Sequence, residues 1–137
     1  MAPLAVLAAA FVVGAPWPSG GTIPKRYTCD GANRAPVLRV RALRPPFAIE
    51  AIDIDAPGRG FVHWLVLDGI SGRNSFGMVG YSGPCPPKGD PPHRYVFHVY
   101  ELRRRPSLRP GFTDAQLRAA IRGDVVASGT IVGRYGR

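Results

Sequence analysis

Long apolar runs are missing from this 137-residue chain, and that absence bounds where it can reside. The one extended apolar stretch, Leu4 to Val13, is too short to cross a bilayer as a helix. No Lys or Arg precedes it, whereas a secretory signal needs a positive segment there. It is read as a buried β-strand and the chain as cytoplasmic. Cysteine is scarce too: Cys29 and Cys85 lie too far apart for a CxxC redox motif or a zinc knuckle. Two free thiols are the default for a cytoplasmic chain, with a disulfide as the alternative if the source is a hyperthermophile. No Gly-x-Ser-x-Gly elbow occurs, and Cys85, flanked by Pro84 and Pro86, has no activating arrangement around it. Internal repeats and low-complexity tracts are absent as well.

What is present suits one small β domain. With 45% hydrophobic residues the chain is globular, and 17 Gly with 15 Pro imply many turns. At this length a single domain spanning residues 1–137 fits, with one core and one site. A net charge of +9 invites a nucleic-acid reading. The distribution argues against it: only Arg103-Arg104-Arg105 forms a run, and no helix-turn-helix, RNP or zinc-finger pattern accompanies it. A solvated basic face is expected, without specific nucleic-acid binding.

Alternation and turn residues place the elements. Val37 to Arg41 reads as a half-exposed strand ended by Pro45-Pro46, and Phe47 to Ile54 as the next strand. That second strand carries Phe47, Ile49, Ala51 and Asp53 on one face, and its end delivers Asp53 and Asp55 before Pro57 and Gly58 stop it. Phe61 to Leu67 is apolar on both faces, as a central strand should be, with His63 counted on the face of Leu65 and Leu67. Asp68 to Pro92 is read as a long ordered loop anchored by Phe76 and Tyr81. Arg94 to Leu102 follows as a strand, with His93, Tyr95, Phe97 and Val99 on one side and His98 and Tyr100 on the other. Thr113-x-x-Gln116 is a capping box, Phe112 and Leu117 form a hydrophobic staple, and a helix is predicted from Thr113 to Arg122, ending at Gly123. Val125 to Val132 is the last strand. The fold class is therefore all-β: a two-sheet antiparallel sandwich with one helix against a sheet edge.

Asp53, His63, His93 and Tyr95 are few, polar and set among apolar strands, the composition of a small pocket that orients a ligand by convergent polar groups. Two imidazoles and a phenol favour an anion, and loop amides of the Gly83 to Gly89 region could add a backbone nest. Asp53 would orient a histidine or take a ligand proton. For Asp55, supporting hydrogen bonds and an Asx turn before Pro57 stand level. Tyr27 and Trp64 are read as packed aromatics, Asp30 as a turn carboxylate, and His98 as packed or exposed away from the pocket.

Five motifs in order resemble the phosphatidylethanolamine-binding protein family, in its bacterial and archaeal branch of Raf kinase inhibitor-like members. They are Ile23-Pro24 to Tyr27-Thr28-Cys29-Asp30-Gly31, Asp53-Ile54-Asp55-Ala56-Pro57, His63-Trp64, Gly83-Pro84-Cys85-Pro86-Pro87 and His93-Arg94-Tyr95. The chain departs from the family pattern at Val40, where Trp is common, and in the short loop after it. The resemblance implies a pocket of Asp53, His63, His93 and Tyr95 with Gly83, Pro84 and Pro86 in one wall, supported by Asp55 and Pro57. It brings the Cys29 and Cys85 segments to the pocket mouth, where pairing is the alternative to free thiols. It implies a small anionic ligand such as phosphate or a phosphorylated headgroup, no cofactor and no metal, and a regulator or inhibitor of a kinase or serine protease rather than an enzyme; a homodimer is left open. The competing reading is a small hydrolase or metal-dependent enzyme using Asp53, His63 and His93.

Overall fold

The alternating apolar residues of three long strands build the frame. In the computed structural model, which describes residues 11–58 and 60–137, Phe47–Asp53 (β3), Phe61–Leu67 (β4) and His93–Leu102 (β6) pair antiparallel. Ile70–Ser71 (β5) extends β4, and Val125–Tyr135 (β7) extends β6, giving the order β5-β4-β3-β6-β7. A two-stranded sheet of Val13–Gly14 (β1) and Arg39–Val40 (β2) forms the second layer. The strand expected over Leu4 to Val13 lies mostly outside the described residues.

Two apolar clusters sit on opposite faces of the large sheet. Ile49, Ala51, Tyr95, Phe97, Val99 and Ile131 pack under Val13, Trp17 and Ile23 on one side. Ala48, Leu65, Leu67 and Leu102 meet Phe112, Leu117 and Ile121 on the other. Burying both faces explains why β3 has no exposed residue.

The helix runs Asp114–Ile121 (α1), capped as its sequence requires: Thr113 accepts from the Gln116 amide and the Gln116 side chain accepts from the Thr113 amide. It covers the face of the sheet, not its edge. Arg118 reaches across it to the buried Glu50 of central β3, at 2.9 Å and 3.2 Å.

Four further expectations are corrected. Cys29 and Cys85 form a disulfide and are not free thiols. The Cys29 amide donates to the Pro84 carbonyl, so backbone pairing brings the two segments together beside the bridge. The stretch Asp68 to Pro92 includes β5, and β7 continues three residues past Val132 to Tyr135. Asp30 does more than turn the chain: it accepts from the Tyr135 hydroxyl and pairs with Arg137. No helix among the described residues is long and apolar enough to cross a membrane.

Candidate functional site

The site lies at one end of the large sheet, where β3 stops and β6 begins. Register sets Asp53 opposite Tyr95, so the end of β3 stands against the start of β6. His63 arrives by a different route. Ala51 pairs with Trp64 but Ile52 pairs with Val62, which leaves His63 as the extra residue of a β-bulge. A bulge re-aims the side chain it carries. His63 therefore leaves the face of Leu65 and Leu67, which pack under α1, and lies edge-on to Tyr95 with ring centroids 5.3 Å apart.

Asp53 is buried and fully engaged. Its Oδ1 accepts from the amides of Asp55 (2.9 Å) and Ala56 (3.1 Å), and its Oδ2 faces His93 Nδ1 at 2.7 Å. The Asx turn before Pro57 thus belongs to Asp53. Asp55 instead clamps Arg94, accepting from its backbone amide and two guanidinium nitrogens, and that guanidinium holds the Asp55 carboxyl down at about 2.

The two imidazoles are tuned in opposite directions. His63 Nδ1 lies 2.7 Å from the Ser82 carbonyl, which assigns the proton of the neutral ring to Nδ1 and makes Nε2 an acceptor. Burial pushes its pKa below the ordinary value. His93 is held above the ordinary value, chiefly by its hydrogen bond to Asp53, with a further bond from Asp90.

Tyr95 completes the floor. It is 1% exposed, and its hydroxyl has no hydrogen-bond partner among the described residues. Burial, with the charge of Asp53, drives its pKa far upward, so it stays a neutral donor. A buried hydroxyl without a partner costs roughly 1–3 kcal/mol unless something else satisfies it.

Asp53, His63, His93 and Tyr95 line one cavity of about 190 Å³, well beyond the roughly 10–15 Å³ that one water needs. Its walls are mostly apolar and include Pro57, Phe61, Phe76, Pro86 and Pro87, with the Cys85 half of the disulfide. Gly83 and Pro84 are not on the lining. Gly83 is packed so tightly that a Cβ there would lie 2.0 Å from the Tyr27 carbonyl oxygen, and its amide donates to Asn33. The Gly89 amide is used as well, donating to the Arg137 carbonyl, so neither glycine supplies the nest expected of this loop. Among the described residues no three His, Cys, Asp or Glu side chains form a metal cage.

Sequence reasoning passed over Phe61 and Phe76 as lining residues and Asp90 altogether. The first two carried a signal, being aromatics flanking the His63 strand. His98 lies on the far face as expected, half-buried and stacked on Tyr100. Trp64 packs edge-on to Tyr81.

A sandwich with one polar-floored cavity at its strand ends defines the architecture, and two solved structures share it. A phosphatidylethanolamine-binding protein homolog from Chlamydia trachomatis superposes with a TM-score of 0.87 at 27% identity, over 95% of this chain and 99% of that one. Escherichia coli YbcL, described as a member of the mammalian PEBP family, gives 0.80 at 25% identity, over 94% and 99%. The chain belongs to the phosphatidylethanolamine-binding protein family, whose model matches residues 14–136. Among its relatives are UPF0098 proteins of Pyrococcus abyssi, 36% identical over 84% of this chain and 79% of that one, and of Mycobacterium tuberculosis, 36% identical over 96% and 70%.

Proposed function

We propose that the cavity binds a small phosphate-bearing ligand, as free phosphate or as a phosphorylated headgroup, and that the protein is a binding module rather than an enzyme. The buried, unpartnered Tyr95 hydroxyl carries this reading: it belongs to a residue that lines the cavity, and a ligand oxygen there could satisfy it. Beside it stand a cationic His93 and an accepting His63 Nε2. A phosphate or phosphomonoester that keeps at least one proton matches that set, since it can accept from Tyr95 and donate to His63. Asp53 is a positioning residue in this scheme, fixing the His93 ring while its own acceptors are taken up by the backbone. No observation favours the hydrolase or metal alternatives over binding. Control of a kinase or serine protease partner by the liganded state rests on family membership alone.

The test is a calorimetric titration of wild type and His93→Ala with inorganic phosphate and with phosphoethanolamine, with and without chelator. A small site with no bidentate Arg clamp among the described residues should give a Kd on the order of millimolar to tens of micromolar. Affinity should fall as pH rises through the raised His93 pKa, above about 6.5, because the cation is lost. Tighter binding of phosphoethanolamine than of phosphate would mark a headgroup ligand. Equal binding by both proteins would place the anion elsewhere, and a chelator effect would establish a metal site.

A further inference from the structure

The imidazole of His93 has both nitrogens engaged. Nδ1 faces Asp53 Oδ2 at 2.7 Å, and Nε2 faces Asp90 Oδ2 at 3.0 Å. Both partners are carboxylate oxygens, which only accept, so no neutral tautomer satisfies the two contacts together. The ring must carry both protons, and the cation is already flanked by two anions.

Asp90 differs in kind from Asp53. The Asp53 side chain is 5% exposed and held by two backbone amides, whereas the Asp90 side chain is 45% exposed and makes no other side-chain hydrogen bond among the described residues. It sits on a turn of its own: the Asp90 amide donates to the Pro87 carbonyl, Gly89 adopts φ +91°, and Pro91 and Pro92 follow. Swinging that carboxylate into water breaks one solvent-screened contact and leaves the turn's backbone bond intact. Behind it opens a cleft lined by Asp55, Asp90, Pro91, Pro92, His93, Arg94 and Arg134, so the Asp90 contact stands where a path from outside meets the ring.

We propose that Asp90 is a built-in competitor for the anion site: its carboxylate occupies the outward N–H of His93, and an anionic ligand binds by displacing it. This rests on the anion-binding reading above. With Asp90 in place, Asp53, Asp90 and His93 together with a neutral His63 leave the site one negative charge in excess, which repels phosphate. With Asp90 swung out, the remaining pair is neutral and the Nε2–H donor is exposed. Asp90 thus sets the affinity of the cavity and selects for ligands able to outbid a carboxylate for an imidazolium. Groups facing His93 from the surrounding elements are Asp53, His63, Asp90 and the Asp55–Arg94 pair, with Arg134 across the cleft.

The experiment compares wild type, Asp90→Ala and Asp68→Ala. Asp68 is a remote carboxylate, and its removal changes net charge by the same amount without touching His93. Inorganic phosphate is titrated at about pH 5.5, a unit below the ordinary imidazole value, so that His93 stays protonated throughout. In parallel, proton NMR follows the His93 titration without ligand. Asp90→Ala should bind phosphate roughly fivefold or more tightly, its His93 pKa should fall, and Asp68→Ala should match wild type. A lowered His93 pKa with unchanged or weaker phosphate binding would make Asp90 a positioning residue and overturn the proposal. So would an unaltered His93 titration, or equal tightening in Asp68→Ala. If no protein binds phosphate although the His93 pKa falls, the anion-site reading itself fails and the competition with it, while the Asp90–His93 contact stands.

Discussion

Replacing Asp114 with Asn should make the protein progressively more stable than wild type as pH rises from about 4 to about 7. Asp114 opens α1, where a carboxylate favours the helix dipole, yet it stands beside the buried Glu50 and shares Arg118 with it. Its Oδ1 is buried without a donor among the described residues. Burial and the Glu50 carboxylate raise its pKa from 3.8 to about 7, because a proton on one acid turns a repulsive contact into a hydrogen bond. The folded value lies above the unfolded one. Its contribution is therefore fully present below pH 3.8 and is lost as pH rises to about 7. Between pH 5 and the folded value about two pH units of this remain, an upper bound of roughly 3 kcal/mol. Residual exposure of 23% and the Arg118 pair reduce this, and Asn forfeits roughly 0.3–1 kcal/mol of dipole interaction, so about 1–2 kcal/mol should remain. Urea midpoints of wild type and Asp114→Asn at about pH 5 and pH 8 measure it, since titrations of groups remote from Asp114 cancel in the difference. His98, held low by burial and by Arg118 and raised in part by the Asp114 charge, is also moved by the substitution. An Asn variant no more stable at pH 8 than at pH 5, relative to wild type, would refute the account of the α1 contact.

Two further predictions concern the cavity and its mouth. Tyr95→Phe removes an unsatisfied hydroxyl, so thermal unfolding should show unchanged or slightly raised stability while phosphate affinity drops several-fold; a variant destabilised by more than about 2 kcal/mol would mean that the hydroxyl has a structural partner. Reducing the Cys29–Cys85 bridge opens a loop with a sequence separation of 56, and the chain-entropy relation gives roughly 4 kcal/mol for its loss. Both thiols alkylating in the native, unreduced protein would contradict the bridge.

How much could be read from the chain divides along the range of the interaction. Local devices were legible: the Thr113–Gln116 box, the strand alternation and the turn residues each act over a few positions. The cavity-lining side chains stood out because His63, His93 and Tyr95 interrupt apolar strands, and the structure gathers them with Asp53 around one cavity. The bulge at His63 was invisible, since one inserted residue leaves no mark on a strand that is apolar on both faces, and the face assignment inverted. The roles of Asp53 and Asp55 could not be separated two positions apart, because they depend on which one ends inside β3 and which one meets Arg94. Asp90 escaped notice because only the geometry of the Pro91-Pro92 segment returns its carboxylate to His93. The Glu50–Arg118 pair, 68 positions apart, is a tertiary event with no sequence signature, which is why the helix was expected at an edge instead of over the sheet.

The most direct test is a crystal structure grown with phosphate at a concentration well above the expected millimolar Kd. The account predicts a phosphate in the cavity with one oxygen about 2.7 Å from the Tyr95 hydroxyl, and Asp90 swung away from His93 Nε2. An empty cavity under those conditions, or phosphate bound only on the surface arginines, would contradict it.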